Sequence, residues 1–578
     1  MFSITSYLGL LVVFLSTRSY ISCTRTSQTE KKADQYENYE HWNDLGRKEL
    51  DEALDVFRSI NTNVAKNIIL FIGDGMSLTT LTASRIYKAQ FKGRQEGTHV
   101  NGEESSLTFQ TFPHTALSKT YCVDRQTPDS SSTASAIYSG VKTKFKTMGY
   151  DTSIIYKNVS SQLTATKVDT ILKWAQDANK DTGFVTTARV SHATPAALYA
   201  HVASRDYECD TELPPNSPPG VTDITYQLVN NDPGRKIKVV MGGGLKSWMS
   251  KEEHQRNWKQ DPYEDHDHTK DKTFDCERLD GRNLVDTFLR KNRTVPGFEN
   301  KKGKMVKTRD ELLRLDPLDT DYVLGLFSDG HMQYEDVRQD KQTQPSLPEM
   351  TKAAINILKK NKENGFFLMV EQSNIDHAHH KTRASASLLE TMILDDAVET
   401  ALSLVDTDDT LIIVTSDHSH TMTMAGYQTR GSDIRGLVDS QKGSDGVPYT
   451  ILGYATGPAF NTHLSVDDSQ RISRFNLSGQ EDVYKSFSFQ NPVSAPLKSE
   501  THGGDDVGIF AVGPYAHLFH SVHEQSYIGH VMAYSGCLGP YKKDPHCVVK
   551  NSVNRIQNSI LNVFSVCVLL IGKQFLFN

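Results

Sequence analysis

The chain has 578 residues, a formal net charge of -7 and 37% hydrophobic residues. This length is enough to bury a large core, either as one large α/β enzyme or as several domains. The weakly acidic balance offers no basic face, so we expect no nucleic-acid partner.

The N-terminal part is predicted to contain a signal peptide and a helix. Leu8–Leu15 is an apolar stretch of signal-peptide length followed by small residues, which predicts a signal peptide over residues 1–23. Residues 24–60 form an N-terminal segment, and Arg47–Ile60 within it has apolar residues at helical spacing. We expect this helix to pack on the body of the protein or on a partner.

Three strongly apolar runs are typical of strands buried on both faces, and each is followed by a carboxylate. The three pairs of strand and acid are Asn67–Ile72 with Asp74, Phe366–Val370 with Glu371, and Asp409–Thr415 with Asp417. Parallel strands would bring these acids to one sheet edge, where open α/β sheets bind their ligands. Acids that lie so close repel one another unless cations compensate them, which favours a site for several metal ions.

Weaker signals complete the fold prediction, which is an α/β fold with a central, mostly parallel sheet flanked by helices. Polar stretches at 206–223 and 251–277 are expected to lie at the surface. Helices are expected at Leu81–Gln90, from Ser130 onwards and at Thr166–Ala178, and further strands at Gly183–Thr187, Lys238–Met241, Val323–Phe327 and Val507–Val512.

Gly- and Ser-rich short segments from 426 to 497 predict a small inserted subdomain. We therefore expect a catalytic core at 61–425 that resumes at 498–545, the inserted subdomain at 426–497, and a terminal spacer and anchor signal at 546–578.

Histidines add metal-binding chemistry to the acids. Asp376 and His380 are four residues apart, so on a helix they share one face and can bind one ion. His418 and His502 supply further nitrogen atoms, and carboxylate oxygen with imidazole nitrogen suits zinc. A single histidine is more often structural, but several of them interleaved with acids at strand ends favour a site for more than one metal.

Ser130 is the candidate nucleophile. It lies at the predicted start of a helix, where the helix dipole favours negative charge. An Asp-Ser pair is also an ordinary helix cap, so the spacing alone leaves both interpretations open. A metal ion beside the hydroxyl would activate it.

Cysteine usage and glycosylation sequons indicate an oxidising compartment outside the cell. Cys537 and Cys547 are expected to pair across a short loop, whereas the pairing of Cys122, Cys209 and Cys276 stays open. Three sequons are usable only in a secreted protein, and they begin at Asn158, Asn292 and Asn476.

The C-terminal residues predict a lipid anchor at the outer face of the plasma membrane. Val563–Leu570 begins an apolar tail that Lys573 interrupts, and the tail falls short of the ~20 residues that cross a bilayer. Small and polar residues upstream fit a GPI-attachment signal, with attachment at Asn551 or Ser552. A frayed amphipathic terminus is the alternative.

Several long motifs resemble the alkaline phosphatases of the animal, membrane-anchored, tissue-nonspecific-like type over about Asp44–Tyr541. They include NIILFIGDGM, PDSSSTASA, HATPAALYAH, GFFLMVE, IDHAHH, DHSHT and ETHGGDD. This resemblance implies a zinc- and magnesium-dependent hydrolase of phosphate monoesters with broad specificity, which acts through a phosphoserine on Ser130. It also implies a homodimer, in which Tyr427 reaches into the partner's site, and a crown-like inserted subdomain.

The resemblance assigns a role to each candidate site residue. Arg205 matches an arginine that binds two phosphate oxygens, and His192 and His377 match residues near magnesium and phosphate. The implied metal ligands are Asp376, His380 and His502 for one zinc, Asp74, Asp417 and His418 for the second zinc, and Thr194, Glu371 and the bridging Asp74 for magnesium.

Two departures from the family pattern affect expectations. Ser131 stands where the family usually has Ala or Gly, and we expect its extra hydroxyl to be tolerated with altered phosphate contacts. Ser328 and Gln344 replace two carboxylates of a calcium site, with Glu264 and the Phe327 carbonyl as the remaining ligands. Because calcium affinity depends on the number of charged ligands, we expect the calcium site to be absent.

Two other functions are compatible with the same motifs. A related phosphodiesterase or sulfatase would more often carry Thr, or an aldehyde made from Cys, in place of Ser130. An inactive surface-binding homologue is disfavoured because every ligand position is filled.

Overall fold

The computed structural model of the chain describes residues 39–58, 60–257, 276, 278–466 and 470–548. The predicted signal peptide, Glu264 and the anchor residues Asn551 and Ser552 lie outside these ranges. The chain forms two compact units, one that ends at Asp55 and one that begins at Val56. The described part of the first unit is most of a 20-residue helix, Tyr39–Arg58, which covers nearly all of the predicted N-terminal helix.

The described residues form sixteen α-helices. In chain order they are α1 (Tyr39–Arg58), α2 (Leu78–Glu96), α3 (Ser130–Ser139), α4 (Ile171–Asp177), α5 (Ala193–Ala196), α6 (Ile224–Asn230), α7 (Lys251–Asn257), α8 (Leu284–Leu289), α9 (Lys291–Thr294), α10 (Arg309–Leu313), α11 (Glu335–Lys341), α12 (Leu347–Leu358), α13 (Asn374–His380), α14 (Ala384–Leu402), α15 (Glu481–Tyr484) and α16 (Tyr527–Ser535).

The same residues form seventeen strands. They are β1 (Asn67–Gly73), β2 (His114–Lys119), β3 (Asp181–Arg189), β4 (Val239–Gly243), β5 (Gly303–Val306), β6 (Tyr322–Leu326), β7 (Phe366–Gln372), β8 (Thr410–Thr415), β9 (Ser419–His420), β10 (Met422–Met424), β11 (Leu452–Gly457), β12 (Leu464–Val466), β13 (Ile472–Arg474), β14 (Val493–Pro496), β15 (His502–Gly503), β16 (Val507–Val512) and β17 (Val522–Glu524).

Ten strands make one large sheet in the order β17-β2-β16-β8-β1-β7-β3-β4-β6-β5. The seven strands from β8 to β5 are mutually parallel, and β16 runs antiparallel to both β8 and β2. The fold prediction of an α/β protein with a mostly parallel central sheet is therefore confirmed.

The core occupies both faces of this sheet, which explains why its central strands are apolar at every position. Along β1, Ile68, Leu70 and Ile72 contribute to the cluster on one face. Ile69 and Phe71 contribute to the cluster on the other face. Side chains alternate between the two faces of a strand, so a strand covered by helices on both sides needs no polar residue until it ends.

The segment that contains the predicted inserted subdomain forms small sheets of its own. Strands β10, β11 and β14 make a three-stranded sheet, and β12 pairs with β13. The two-residue strands β9 and β15 pair antiparallel, which places His502 opposite His420. Among the described residues, no helix is long and apolar enough to span a bilayer.

Two sequence expectations differ from the structure. Only the α4 part of the helix expected at Thr166–Ala178 is helical. Thr170 caps the N-terminus of α4, and Lys167 before it pairs with Tyr150 in a β-bridge. The polar stretch at 206–223 is not wholly superficial, because Cys209 is buried there in a disulfide with Cys276.

Gly365, the residue before β7, permits a close approach between two chain segments. Its φ of +73° is left-handed, and a Cβ there would lie 2.1 Å from the backbone oxygen of Lys66. Gly97 has a similar φ of +68°, but a Cβ there would have no neighbour within 4 Å. A substitution of Gly97 would therefore introduce backbone strain alone, whereas a substitution of Gly365 would introduce backbone strain and steric overlap.

We predict that Gly97→Ala lowers the unfolding free energy by about 1–2 kcal/mol, the cost of a left-handed alanine. Gly365→Ala should cost a further ~1–3 kcal/mol, because the Lys66 backbone must move. Calorimetric melting temperatures of the two variants, measured side by side, test this difference. Equal shifts would show that the approach to Lys66 is not tight.

Candidate metal centre

The three neighbouring strands β8, β1 and β7 deliver three acids to one edge of the sheet. Asp74 follows β1, Asp417 follows β8 by one residue, and Glu371 is the penultimate residue of β7. All three side chains are fully buried. The structure thus brings together the acids that the sequence placed at three strand ends.

His418 turns one ring nitrogen towards these acids. Its Nδ1 lies 3.3 Å from the Ser419 carbonyl, to which it can only donate, so Nε2 carries the lone pair. That Nε2 lies 3.4 Å from Asp74 Oδ1 and 3.2 Å from Asp417 Oδ2. If both acids are ionised, the Nε2 lone pair and the two carboxylate oxygens are all acceptors, and no hydrogen atom lies between them. A cation bound to all three atoms would satisfy them.

A group of buried oxygen atoms around Asp74 also lacks hydrogen-bond donors in the part of the chain that the structure describes. Both carboxylate oxygens of Asp74, Oε1 of Glu371 and Oγ1 of Thr194 are buried and have no hydrogen-bond partner of ordinary geometry among the described residues, although Thr194 lies close enough to Glu371 to offset part of the rise in pKa that burial causes there. Buried polar oxygens rarely stay unsatisfied, because each costs the free energy of its lost hydration. An all-oxygen set of this kind matches the ligands that magnesium prefers.

A second group lies on α13 and β15. His380 donates from Nδ1 to the Glu500 carbonyl at 2.6 Å, and His502 donates from Nδ1 to the Pro128 carbonyl at 2.8 Å. Their Nε2 lone pairs therefore face each other at 3.2 Å. Asp376 Oδ1 lies 3.4 Å from the first Nε2 and 3.5 Å from the second. Three acceptors that converge in this way fit a zinc ion.

Two of the buried acids, Asp74 and Glu371, carry raised pKa values. Burial, followed by repulsion from Asp417, Asp376 and Glu371, raises the pKa of Asp74 well above its ordinary value. Burial is also the main cause that raises the pKa of Glu371 to about 7, although Thr186 donates a hydrogen bond to its carboxylate. These shifts measure how unfavourable the clustered negative charge is without a compensating cation.

Ser130 begins α3 beside the candidate metal ligands. Asp129 caps this helix through the backbone N–H of Ser131. The Ser130 hydroxyl lies 3.1 Å from Nε2 of His418, the atom that also faces two acids. A cation held by His418 would therefore lie beside the hydroxyl, as activation of a serine requires.

Arg205 is held from two sides next to Ser130. Its Nη1 donates to Asp129 Oδ2 at 3.2 Å and its Nη2 donates to His192 Nε2 at 2.9 Å. The Ser131 hydroxyl donates to the same oxygen of Asp129 at 2.5 Å. The hydroxyl at position 131 thus competes with Arg205 for one carboxylate oxygen, which gives the departure from the family pattern a physical consequence.

Three histidines lie together behind Arg205, and two of them were predicted. His192, His331 and His377 each place a ring nitrogen within 4.8 Å of the other two. Arginine donors already occupy two of the lone pairs, because Arg205 contacts His192 and Arg189 Nη1 lies 2.6 Å from His331 Nε2. Burial lowers the pKa of His192 and His377, so both rings are neutral.

His420 and Glu500 belong to the site, yet the sequence reasoning did not assign them. His420 lies 2.6 Å from Asp376 Oδ1 through Nε2 and 2.5 Å from Glu500 Oε2 through Nδ1. Burial alone would lower its pKa, but Glu500 and Asp376 together raise it to about 10. The sequence did indicate that both residues lie near the site, although not that they contact each other. His420 lies two residues after His418, and Glu500 lies two residues before His502.

The residues at the expected calcium position make contacts of their own. Ser328 donates to the His331 carbonyl at 2.8 Å, and Gln344 accepts from the Gln333 backbone at 2.9 Å. Asp329 Oδ1 lies 2.6 Å from His254 Nε2. The neighbouring carboxylate is thus already paired with an imidazole.

The remaining predicted sites are the glycosylation sequons and the C-terminal disulfide. Asn158 and Asn476 are exposed, and Asn292 lies in α9 with a side chain that the structure does not describe. A disulfide joins Cys537 to Cys547 with a Cα–Cα distance of 5.7 Å. The buried Cys122 is the one free cysteine among the described residues.

Fold and site together define an α/β enzyme of the metal-dependent kind, with a serine at a helix N-terminus beside clusters of candidate metal ligands. The family model of alkaline phosphatase matches residues 65–538. The chain belongs to the alkaline phosphatase family. It is therefore a phosphatase that hydrolyses phosphate monoesters, and metal dependence is general for this family.

Curated relatives and solved structures agree with the family. The tissue-nonspecific alkaline phosphatase of Homo sapiens is 42% identical over 86% of this chain and 88% of its own length. Alkaline phosphatase 4 of Drosophila melanogaster is 39% identical over 88% of this chain and 84% of its own length. The Thermus thermophilus alkaline phosphatase structure, at 21% identity, covers 82% of this chain and 92% of its own with a TM-score of 0.55, which supports the fold.

We predict that a chelator lowers the melting temperature at pH 8 by at least about 5 °C, because bound cations stabilise only the folded state. Asp74→Asn should raise the melting temperature of the metal-free protein above that of metal-free wild type, since it removes one buried charge. The same substitution should lower the melting temperature of the metal-loaded protein. Calorimetry with and without chelator checks all three signs.

The carboxyl group of Glu371 should make the metal-free protein less stable as the pH rises from 6 to 8. Its pKa rises from 4.5 to about 7 on folding, mainly through burial, so the stability that its protonation contributes is lost as the pH rises through about 7. Buried histidines with lowered pKa values act in the opposite direction, so the test compares metal-free wild type with metal-free Glu371→Gln: wild type should lose more stability, or gain less, between pH 6 and pH 8. The same change in both proteins would contradict the raised pKa of Glu371.

Proposed function

We propose that the chain is a two-zinc, one-magnesium phosphomonoesterase of the cell surface. The observation that supports this most strongly is the convergence of His380, His502 and Asp376, whose acceptor atoms lie within 3.5 Å of one another. The other two ring nitrogens donate to backbone carbonyls, so both Nε2 lone pairs are left for a cation, and Asp376 Oδ1 has a second lone pair beyond its contact with His420.

The donor atoms suggest which metal each group takes. We assign one zinc to Asp376, His380 and His502, and the second zinc to Asp74, Asp417 and His418, because both sets mix nitrogen and oxygen. Magnesium is assigned to the all-oxygen set of Asp74, Glu371 and Thr194. When bound, the zinc pair would supply charge stabilisation to the attacking and leaving oxygens of an in-line displacement.

Ser130 is the proposed nucleophile. Its Oγ forms a bond to the substrate phosphorus as the bond from phosphorus to the alcohol oxygen breaks, and the hydroxyl proton ends on the released alcohol, which leaves a phosphoserine. Water then attacks the same phosphorus as the bond from phosphorus to Ser130 Oγ breaks, and one proton of that water restores the serine hydroxyl while phosphate is released. The helix dipole at the N-terminus of α3 favours the negative charge on the attacking oxygen.

Arg205 is the proposed phosphate-binding residue. Its planar guanidinium can donate to two non-bridging oxygens at once. Asp129 accepts from one Nη atom and His192 accepts from the other, so the guanidinium is oriented before the substrate binds. Because this scheme needs no contact to the alcohol, it supports broad specificity for monoesters.

Calcium is not part of the proposed cofactor set. Ser328 and Gln344 provide no charge where carboxylates were expected, and Asp329 is engaged with His254. A calcium ion would have to displace that imidazole and would find fewer charged oxygens than it usually binds.

Extracellular location, lipid anchoring and dimerisation remain proposals. Two disulfides and the exposed sequon residues Asn158 and Asn476 support an oxidising, glycosylating compartment. Tyr427 is 82% exposed in the single chain, which suits a residue that would contact a second copy. The anchor proposal rests on the C-terminal sequence alone, with attachment at Asn551 or Ser552.

We predict that Ser130→Ala lowers the rate of aryl phosphate hydrolysis by at least about 1,000-fold, because the serine accepts the phosphoryl group. Zinc content should stay at two per chain, since Ser130 is not among the proposed ligands. Ser135→Ala is the matched control, because its hydroxyl bonds within the same helix to the Ser131 carbonyl. Phosphate trapped at acid pH on another residue would refute the assignment.

We predict that a phosphatidylinositol-specific lipase releases the active enzyme from intact cells that express the full chain. The terminal apolar stretch is too short and too interrupted to cross the bilayer, so a lipid would be the attachment. Enzyme that stays on the membrane after lipase, with the apolar tail detected in the mature chain by mass spectrometry, would contradict the anchor.

A further inference from the structure

His379 lies on α13 between two proposed zinc ligands, Asp376 and His380. Its ring is fully buried, and both of its nitrogens have partners. Nδ1 lies 2.9 Å from the Tyr454 hydroxyl, and Nε2 lies 3.0 Å from the Thr80 hydroxyl. A neutral imidazole has one donor and one acceptor, and two hydroxyl groups can satisfy both.

The same ring supports the side chain that orients Asp376. His379 stacks on His420 with ring centroids 4.8 Å apart and an interplanar angle of 29°. His420 in turn contacts Asp376 Oδ1 at 2.6 Å. His379 therefore restrains the zinc site in two ways, through the backbone of α13 and through the face of His420.

Tyr454 connects this position to the inserted segment at 426–497. It lies on β11 of the three-stranded sheet, and its backbone N–H donates to the Pro492 carbonyl. Its side chain is buried, so the hydroxyl bond to His379 is shielded from water. Thr80 lies on α2 in the main body. His379 is thus bonded to two separate parts of the fold.

Tertiary contacts must fix the position of α13, because this helix has only seven residues. Helices this short are not stable on their own and take their position from tertiary contacts. A small rotation of α13 would displace Asp376 and His380 together, since they lie on one face four residues apart.

We propose that His379 and Tyr454 are positioning residues for the zinc held by Asp376, His380 and His502, so that the inserted segment controls how firmly that zinc is retained. The proposal rests on the ligand assignment under the proposed function. Groups bonded directly to metal ligands typically change metal affinity 10–100-fold when removed. Tyr454 is two contacts further out, since it reaches Asp376 through His379 and His420, so a smaller effect is expected.

The test measures zinc release from the loaded full-length enzyme to a coloured chelator. Tyr454→Phe removes only the hydroxyl that reaches His379, and it should release one zinc per chain roughly three- to tenfold faster than wild type. The second zinc should leave at the wild-type rate. Tyr449→Phe is the matched control, because its hydroxyl lies in the same segment and is bonded to Gln441 instead.

A second variant covers the case in which Tyr454→Phe does not fold. Thr80→Val removes the other hydroxyl bonded to His379 and should accelerate release of the same zinc. Wild-type release rates in whichever of these two variants fold would overturn the proposal. Failure of the ligand assignment itself looks different, because wild type would then lack zinc or His380→Ala would retain two zinc ions.

Discussion

Repulsion among buried carboxylates is the constraint on which the site depends. Asp74, Glu371 and Asp417 are fully buried at one sheet edge, and Asp376 is nearly so. Four acids in so small a volume cannot all be ionised in a low-dielectric interior without compensating positive charge. Although burial opposes it, His380, His420 and His502 lower the pKa of Asp376 well below its ordinary value, so the conflict lies with the acids at the strand ends. The raised pKa values of Asp74 and Glu371 express this conflict, and the imidazole lone pairs that face the acids indicate how it is resolved.

The surrounding structure serves to hold these groups in place. Parallel pairing of β8, β1 and β7 brings residues that are hundreds of positions apart to one edge. Backbone carbonyls accept the Nδ1 protons of His380, His418 and His502, so each ring presents Nε2 to the acids. Carbonyl partners of this kind fix the tautomer and ring orientation of a metal ligand. Phosphatase chemistry thus depends on bonds made well outside the reacting atoms.

Sequence reasoning predicted the parts that depend on local pattern. Strands β1, β7 and β8 were predicted because long apolar runs are the signature of strands covered on both faces. The helix at Thr166–Ala178 was predicted too long, since a bridge between Lys167 and Tyr150 takes the chain away before Thr170 caps α4. The contacts of His420 could not be predicted from spacing, because Glu500 is 80 residues away and meets it through the pairing of β9 with β15.

Anomalous X-ray diffraction above the zinc absorption edge, on crystals of the zinc-loaded protein, would show whether cations lie between the buried acids. We expect two strong peaks per chain, one bounded by Asp376, His380 and His502 and the other by Asp74, Asp417 and His418. Zinc peaks only at other positions, or no zinc peak near the buried acids at this sheet edge, would contradict the claim that cations compensate these acids.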